Sequence, residues 1–299
     1  MATENLSGVL PSDTELDALL LDAKLSVPLP RRGSVSRAPL IDAARSSERR
    51  VVGVTAPAGY GKSTLLTEWA HSEDRPVAWL SLDQLDDDPA TLITLLASAY
   101  VRASGSESDL VANVGVGGSS VLARAAPRLA TAFSTSPSPF VLMMDDLHSL
   151  QSPNCHDVLS VVISGIPPGS QLVATSRSEQ PHLPKLRATG DALEFSATDL
   201  ALDEAGARQI FNEARVAITS ELAAAVTQRT EGWPVGMYLA AMIAMEGKGE
   251  QLTISGDDRY VADYLYKESL MRLPEGTQRF LRRTAVVDQL SGPLCDAVL

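Results

Sequence analysis

The feature of this sequence that most constrains its fold is an alternation of short apolar runs with segments of helical spacing between residues 51 and 195. The runs RVVGVT, VAWLSL, FVLMM and QLVAT are continuous, and ALEF forms a shorter fifth run. Continuous apolar runs, as opposed to alternating ones, are typical of strands that are buried on both faces. We therefore predict an α/β fold built on a doubly wound parallel sheet of about five strands.

The segments between and after these runs predict helices. One begins at Asp88 and Pro89, where aspartate is a favoured N-cap and proline suits the first helical position. Residues 105–120 are rich in glycine and serine, which predicts a flexible loop. After Leu200 the strand signal stops and five segments of helical spacing follow. This change predicts an all-helical region and a domain boundary near residue 200.

Composition narrows the classes of function. The 299 residues are 44% hydrophobic and carry a formal net charge of −12, so we expect a substantial core and no basic surface for DNA or an anionic membrane. Cys155 and Cys295 match no metal-ligand spacing and favour a reducing compartment. The acidic N-terminal stretch does not resemble a secretory signal, and no run approaches the ~20 apolar residues of a membrane span. We expect a cytoplasmic protein.

The segment APAGYGKS, from Ala56 to Ser63, matches the phosphate-loop pattern G-x-x-x-x-G-K-[ST] except at its first position. That position needs a small residue, so alanine is a mild departure. The segment follows a predicted strand and opens a predicted helix, which places backbone N–H groups around phosphates. In this interpretation Gly61 permits close approach, Lys62 neutralises the β- and γ-phosphates, and the Ser63 hydroxyl binds Mg²⁺.

Acidic and basic side chains follow two other predicted strands. Asp145 and Asp146 end the run FVLMM, and Arg177 follows QLVAT. Open α/β sheets bind ligands at the carboxyl ends of their strands. We predict that Asp145 joins Ser63 as a metal ligand, and that Asp146 orients the attacking water. By its position alone, Arg177 could either contact the γ-phosphate and detect its presence or pair with a carboxylate at the surface. Lys62, Asp146 and Arg177 are thus the predicted catalytic residues.

Seven segments in order extend this interpretation to a family. They read KLSVPLPRRGSVSRAPL, VTAPAGYGKSTLLTEWA, VAWLSLDQLDDDP, VLMMDDLH, VATSR, TEGWPVGM and LSGPLCDAVL. Together they resemble the ATPase region of the large ATP-binding LuxR-type transcriptional regulators, which are similar to the maltose-regulon activator. These regulators form part of the STAND branch of P-loop ATPases. The resemblance covers about residues 24–299.

The resemblance implies further roles. The segment at Val35 to Arg37 would pack on the nucleotide base, and Pro234, within Gly232-Trp233-Pro234, would close over the nucleotide from the helical domain. ATP or ADP with Mg²⁺ would be the cofactors, and ATP-dependent self-association is expected. The nucleotide-binding residues implied are Val35, Arg37, Ala58, Gly59, Tyr60, Gly61, Lys62, Ser63, Thr64 and Pro234.

The same resemblance supplies a domain plan. We expect a mobile tail with one short helix in residues 1–24, a nucleotide-binding domain in 25–200, a helical lid in 201–254, and the truncated start of a winged-helix-like domain in 255–299. Members of the family continue into an inducer-binding region and a DNA-binding helix-turn-helix. We therefore expect no direct DNA binding by this chain.

Three hypotheses of function follow from these residues. The first is a signalling switch that binds ATP and hydrolyses it slowly. The second is a P-loop kinase or transferase, although the region after Arg177 offers only Lys185 and Arg187 where such enzymes carry a basic lid. The third is a truncated interaction module without turnover. Phosphate release without an added acceptor would favour the first hypothesis, and the absence of thermal stabilisation by ATP·Mg²⁺ would favour the third.

Overall fold

The computed structural model describes residues 13–105, 121–246, 259–287 and 289–298. The predicted loop at 105–120 therefore lies outside the described residues except for Gly105, and so does the predicted boundary at 254/255. By their backbone contacts the residues group into two units. The first comprises Met1–Pro57 and Gly61–Leu200, and the second comprises Ala58–Tyr60 and Ala201–Leu299.

The first unit contains five strands and eight α-helices among its described residues. The strands are β1 (Val51–Thr55), β2 (Val77–Ser81), β3 (Val141–Asp145), β4 (Gln171–Ser176) and β5 (Ala192–Phe195). The helices are α1 (Asp13–Leu25), α2 (Ala38–Ser46), α3 (Lys62–His71), α4 (Pro89–Ser104), α5 (Ala126–Ser134), α6 (Pro153–Ser164), α7 (Leu183–Thr189) and α8 (Ala197–Leu200).

The five strands form one parallel sheet in the order β2-β3-β4-β1-β5. Val51 of β1 lies opposite Leu172 of β4 and Ala192 of β5, and Val141 of β3 lies opposite Val77 and Gln171. This register brings the carboxyl ends of β1, β3 and β4 to one edge of the sheet. The prediction of a parallel sheet of about five strands is confirmed.

Both faces of this sheet are covered. Every residue of β3 and β4 is buried, as their continuous apolar runs predict. Leu65, Leu66 and Trp69 of α3 are fully buried. Aromatic rings meet where α4, α5 and the start of β3 pack: ring centroids lie 4.8–5.2 Å apart among Tyr100, Phe133 and Phe140.

Local sequence explains where α4 begins. The Asp88 side chain accepts hydrogen bonds from the amides of Ala90 and Thr91, and Pro89 occupies the first helical position. Two amides of the first turn, which have no partner within the helix, are thereby satisfied. The helix ends at Gly105, whose φ of 65° is the left-handed conformation favoured at a helix C-terminus.

The predicted N-terminal tail contains helix α1, and the end of this helix is held by ion pairs. The ammonium of Lys24 lies 2.6 Å from a carboxylate oxygen of Asp86 and 2.8 Å from one of Asp83, both in the turn that follows β2. Leu25 is buried in the core of the first unit. These contacts anchor the last residues of α1 near β2, which is an edge strand of the sheet.

The described residues of the second unit form helices joined by turns and loops. Its helices are α9 (Glu204–Glu213), α10 (Ser220–Thr230), α11 (Pro234–Glu246), α12 (Arg259–Glu268), α13 (Glu275–Thr284) and α14 (Gly292–Val298). Phe211, Val226 and Met237, from α9, α10 and α11, are buried together with small residues such as Ala240. The predicted all-helical region after Leu200 is confirmed. No helix among the described residues of the chain is both long and apolar enough to cross a membrane.

Candidate functional site

The loop between β1 and α3 carries the phosphate-loop pattern. Gly61 is the N-cap of α3 and has a φ of 78°, a conformation that glycine adopts without strain. A Cβ atom added at Gly61 would meet nothing within 4 Å, so the space before the helix is open. Backbone N–H groups of the first helical turn have no partner within the helix, which makes this end of α3 suited to an anion.

Lys62 begins the helix and folds back over the loop. Its ammonium donates to the carbonyl oxygen of Pro57 at 3.0 Å, and the residue is only 7% exposed. Burial lowers the pKa of Lys62, and the charge of Arg177 lowers it further, whereas the carboxylates of Asp146 and Asp145 oppose the shift. The ammonium is therefore poorly solvated, and an anion bound beside it would stabilise its charged form.

Asp145 lies at the carboxyl end of β3 and meets Ser63 of α3. Its carboxylate accepts a hydrogen bond from the Thr175 hydroxyl. Burial raises the pKa of Asp145, because the charged form is poorly solvated there, whereas Thr175 and the nearby Ser63 side chain lower it. A nearby divalent cation would favour the charged form. The hydroxyl of Ser63 and the carboxylate of Asp145, which are predicted to share a metal, are thus close enough for Ser63 to influence the charge of the acid.

Asp146 is held in an unusual backbone conformation. Its φ of 58° and ψ of 40° are left-handed, which is uncommon for residues other than glycine. Its amide donates to the Thr175 hydroxyl oxygen at 3.0 Å, and its carboxylate lies 3.7 Å from Nδ1 of His148. The side chain is 44% exposed. Strained backbone of this kind often occurs at functional sites.

Arg177 follows β4, the strand between β3 and β1. Thr55 at the end of β1 pairs with Ser176, and the amide of Ala56 donates to the Ser176 carbonyl oxygen at 3.2 Å. The phosphate loop and Arg177 therefore leave the sheet side by side. The positive charge of Arg177 acts on Lys62, which places the two cations near each other.

The structure thus brings five of the predicted residues to one edge of the sheet: Lys62, Ser63, Asp145, Asp146 and Arg177. Thr175 was not among the predicted site residues, although its hydroxyl forms hydrogen bonds with both Asp145 and Asp146. Its signal in the sequence is a hydroxyl residue within a fully buried strand, a position where a polar group needs a partner.

Two predicted residues lie earlier in the chain. Arg37 is buried, and its amide donates to a carboxylate oxygen of Glu68 in α3 at 2.8 Å. Its guanidinium donates to the Leu200 carbonyl oxygen at 2.7 Å. Val35 is half-buried in the preceding extended segment. The proposed contact of both residues with a nucleotide base stays a prediction.

Ala58, Gly59 and Tyr60, at the tip of the loop, group with the second unit. The indole Nε1 of Trp233 donates to the Ala58 carbonyl oxygen at 3.0 Å, and the Val235 amide donates to that of Gly59 at 3.2 Å. Pro234 is the first residue of α11. The contact predicted between Pro234 and a nucleotide stays a prediction.

The fold and the loop define the class of the first unit, which is a P-loop nucleotide-binding fold. Among solved structures, a Walker-type ATPase of Pyrococcus abyssi matches with a TM-score of 0.57 over 89% of this chain and 83% of that one. The sequence identity is 14%, so this similarity concerns the fold alone.

The sequence itself is similar to bacterial regulators of one kind. It is 28% identical over 288 residues to the HTH-type transcriptional regulator MalT of Cronobacter sakazakii and 26% identical to that of Yersinia enterocolitica. Residues 266–299 match the family described as the MalT winged helix domain. The predicted resemblance to regulators of this type, and the predicted start of a winged-helix-like region, are confirmed.

These matches extend over 92% of this chain but only 32% of each of these two regulators. The chain thus spans about a third of the length of the curated relatives that it matches.

Proposed function

We propose that this chain binds ATP with Mg²⁺, hydrolyses it slowly, and serves as the nucleotide-dependent switch of a MalT-like transcriptional regulator. The observation that carries the proposal is the proximity of Asp145, at the end of β3, to Ser63 in the first turn after the phosphate loop, where Ser63 lowers the pKa of the acid. In a P-loop site a hydroxyl and an acid from a neighbouring strand hold the magnesium ion together. Without that contact the loop pattern would be only a turn between a strand and a helix.

The first group of contacts would hold the triphosphate. Backbone amides from the loop and from the first turn of α3 are suited to phosphate oxygens, and the buried Lys62 ammonium would neutralise the β- and γ-phosphates. Burial lowers the pKa of Lys62, which shows that its ammonium is already partly removed from water in the folded protein. Less free energy is therefore needed to remove water from the ammonium when an anion binds. This favours tight binding of a compact anion.

The second group would act on the γ-phosphate. Ser63 and Asp145 are suited to Mg²⁺, with phosphate oxygens and water as further ligands. The ion would neutralise charge that develops on the transferred phosphoryl group. Asp146, adjacent to the metal ligand and partly exposed, would orient the attacking water. Arg177 would contact the γ-phosphate and distinguish ATP from ADP.

The regulatory part of the proposal follows from the similarity to MalT proteins. Residues 25–200 would form the nucleotide-binding domain, 201–254 a helical lid, and 255–299 the start of the winged-helix-like domain. Val35 and Arg37 would contact the base, and Pro234 would close over the nucleotide. ATP binding would promote self-association in the cytoplasm, and a part of the regulator outside this sequence would contact DNA.

Replacement of Lys62 tests nucleotide binding. We expect Lys62→Ala to weaken ATP·Mg²⁺ binding by ~10- to 100-fold, because a charge-assisted hydrogen bond contributes ~1.5–3 kcal/mol. Isothermal titration calorimetry measures the affinity. The matched control is Lys185→Ala, which removes an exposed lysine of α7 and should leave the affinity unchanged.

Two outcomes would contradict the proposal. Equal ATP affinity in wild type and Lys62→Ala, with both proteins folded by circular dichroism, would exclude a phosphate role for Lys62. ADP formation only in the presence of an added acceptor, with the phosphoryl group transferred to that acceptor, would instead support a kinase or transferase. The proposed switch predicts slow release of inorganic phosphate from ATP·Mg²⁺ alone.

A further inference from the structure

The orientation of a peptide group fixes two hydrogen-bonding atoms at once. A trans peptide is planar, so the carbonyl oxygen of one residue and the N–H of the next point in opposite directions. No cis peptide occurs among the described residues. A donor that holds the carbonyl of Ala58 therefore also determines the direction of the Gly59 N–H. The same relation links the Gly59 carbonyl to the Tyr60 N–H.

Both carbonyl groups at the tip of the phosphate loop are held by residues at the start of α11. The Trp233 indole donates to the Ala58 oxygen at 3.0 Å, and the Val235 amide donates to the Gly59 oxygen at 3.2 Å. The N–H groups of Gly59 and Tyr60 consequently point away from Trp233 and Val235. They are the amides that a phosphate loop offers to its ligand.

The Val235 amide is available for this contact because of its position. The first amides of a helix have no partner within the helix, and Pro234 at the first position has no N–H to offer. Val235 is the next residue, and the Gly59 carbonyl accepts its N–H. The loop tip thus caps the start of α11.

The Trp233 indole is fixed in place by tight packing. Its ring lies edge to face with that of Tyr264, with centroids 5.5 Å apart. A Cβ atom added at Gly59 would lie 2.7 Å from the Trp233 Nε1 and 2.8 Å from the Tyr264 hydroxyl oxygen. Such distances leave no room for a side chain at this residue, whose φ is 82°. Only glycine allows the indole to approach the loop this closely.

We propose that Trp233 is a positioning residue for phosphate: its indole N–H holds the Ala58 peptide so that the loop amides are oriented before the nucleotide arrives. The inference rests on the proposed function, since it concerns the same ligand. Preorganised donors bind more tightly because their ordering cost is met in folding and not in binding. Trp233 therefore acts through the loop backbone, without touching the base.

Trp233→Phe tests this assignment, because it removes the N–H donor and keeps an aromatic ring. We expect a ~3- to 10-fold loss of affinity for ATP·Mg²⁺, the effect of one hydrogen bond. Inorganic triphosphate is the second probe, and its affinity should fall by the same factor. The matched control is Trp79→Phe, whose indole donates to the Ser81 hydroxyl oxygen at 2.9 Å within the sheet unit. It should bind both probes like wild type.

The outcomes separate this inference from the proposed function. Unchanged affinity of Trp233→Phe, or a loss for ATP without a loss for inorganic triphosphate, would overturn the positioning role. Wild type that binds no nucleotide would instead overturn the proposed function. If Trp233→Phe does not fold, the wild-type indole N–H resonance of Trp233 provides the test. Slow exchange with solvent in the nucleotide-free protein is expected, and fast exchange would contradict the inference.

Discussion

Thr175 shows how a single buried hydroxyl can organise a site. It is fully buried, donates to the Asp145 carboxylate and accepts from the Asp146 amide. One side chain of β4 therefore holds both the Asp145 carboxylate, the proposed metal ligand, and the left-handed backbone of Asp146, the residue that follows β3. Removal of this hydroxyl would take one hydrogen-bond partner from each of two groups, the Asp145 carboxylate and the Asp146 amide, and leave them only their weaker bond to each other at 3.2 Å.

Thr175→Val is nearly isosteric and should weaken Mg²⁺-dependent ATP binding on the order of tenfold. The Thr175 hydrogen bond lowers the pKa of Asp145, which burial raises. Without it that pKa rises further, so the carboxylate is protonated at a higher pH. The deficit relative to wild type should thus be greater at pH 6 than at pH 8. Titrations of Mg²⁺ at fixed ATP measure this.

Thr175→Ser is the control for that experiment, since it keeps the hydroxyl, and it should retain most of the Mg²⁺ dependence. If the valine variant titrates like wild type at both pH values, Thr175 has no influence on the Asp145 carboxylate.

Helix boundaries are the element-scale feature that the sequence predicted best. Asp88 is the N-cap of α4 and Pro89 its first residue, as the local pattern predicted. The Asp88 side chain accepts the hydrogen bonds expected of a cap. Helix termini follow short-range rules, because the unpaired amides are satisfied by a side chain two or three residues away. By contrast, the anchoring of α1 through Lys24 joins residues about 60 positions apart. No local pattern predicts such a contact.

Asp88→Ala should destabilise the first unit by about 1 kcal/mol, the usual cost of a lost N-cap. Asparagine accepts the same hydrogen bonds, so Asp88→Asn should remain close to wild type. Urea unfolding monitored by circular dichroism measures both variants. Equal loss in the two would show that the charge of Asp88, and not its capping oxygen, stabilises α4.

At the scale of the whole molecule, a partly buried ionic network around Glu73 holds elements of the first unit together. The Glu73 carboxylate accepts hydrogen bonds from Arg75, from the Trp69 indole and from Arg45 of α2, and Arg75 also bonds Gln171 of β4. Burial alone would raise the pKa of Glu73, but the hydrogen bonds from Arg75 and Trp69 outweigh it and lower that pKa to about 2.

This network predicts a pH-dependent contribution to stability. The folded-state pKa of Glu73 lies below its ordinary value of 4.5. The contribution is therefore complete above about pH 4.5 and is lost as the pH falls toward 2. Glu73→Gln should lower the melting temperature at pH 7 and reduce the dependence of stability on pH below 4.5. Thermal melts between pH 3 and pH 7 measure both effects.

Glu213→Gln, at an exposed position of α9, removes the same charge from the surface and is the control. It should follow the wild-type pH dependence. A Glu73→Gln variant that does the same would contradict the role assigned to this carboxylate.

The sequence by itself determined those features of the protein that depend on residues close together in the chain. Apolar runs predicted the strands, the loop pattern predicted the open turn before α3, and the strand ends predicted which acids and cations share one edge of the sheet. Parallel strands bring their carboxyl ends together by geometry alone. The proximity of Ser63 and Asp145 is therefore consistent with the predicted parallel sheet.

Only the tertiary structure decided the contacts between distant side chains. The bonds of Thr175 to two aspartates, the hydrogen bond of Trp233 to Ala58 and the network around Glu73 have no periodicity and no fixed spacing. Their partners lie on other elements, and a polar group finds its partner only after those elements pack. For that reason the predicted residues mark the position of the candidate site, whereas the residues that orient it appear only in the fold.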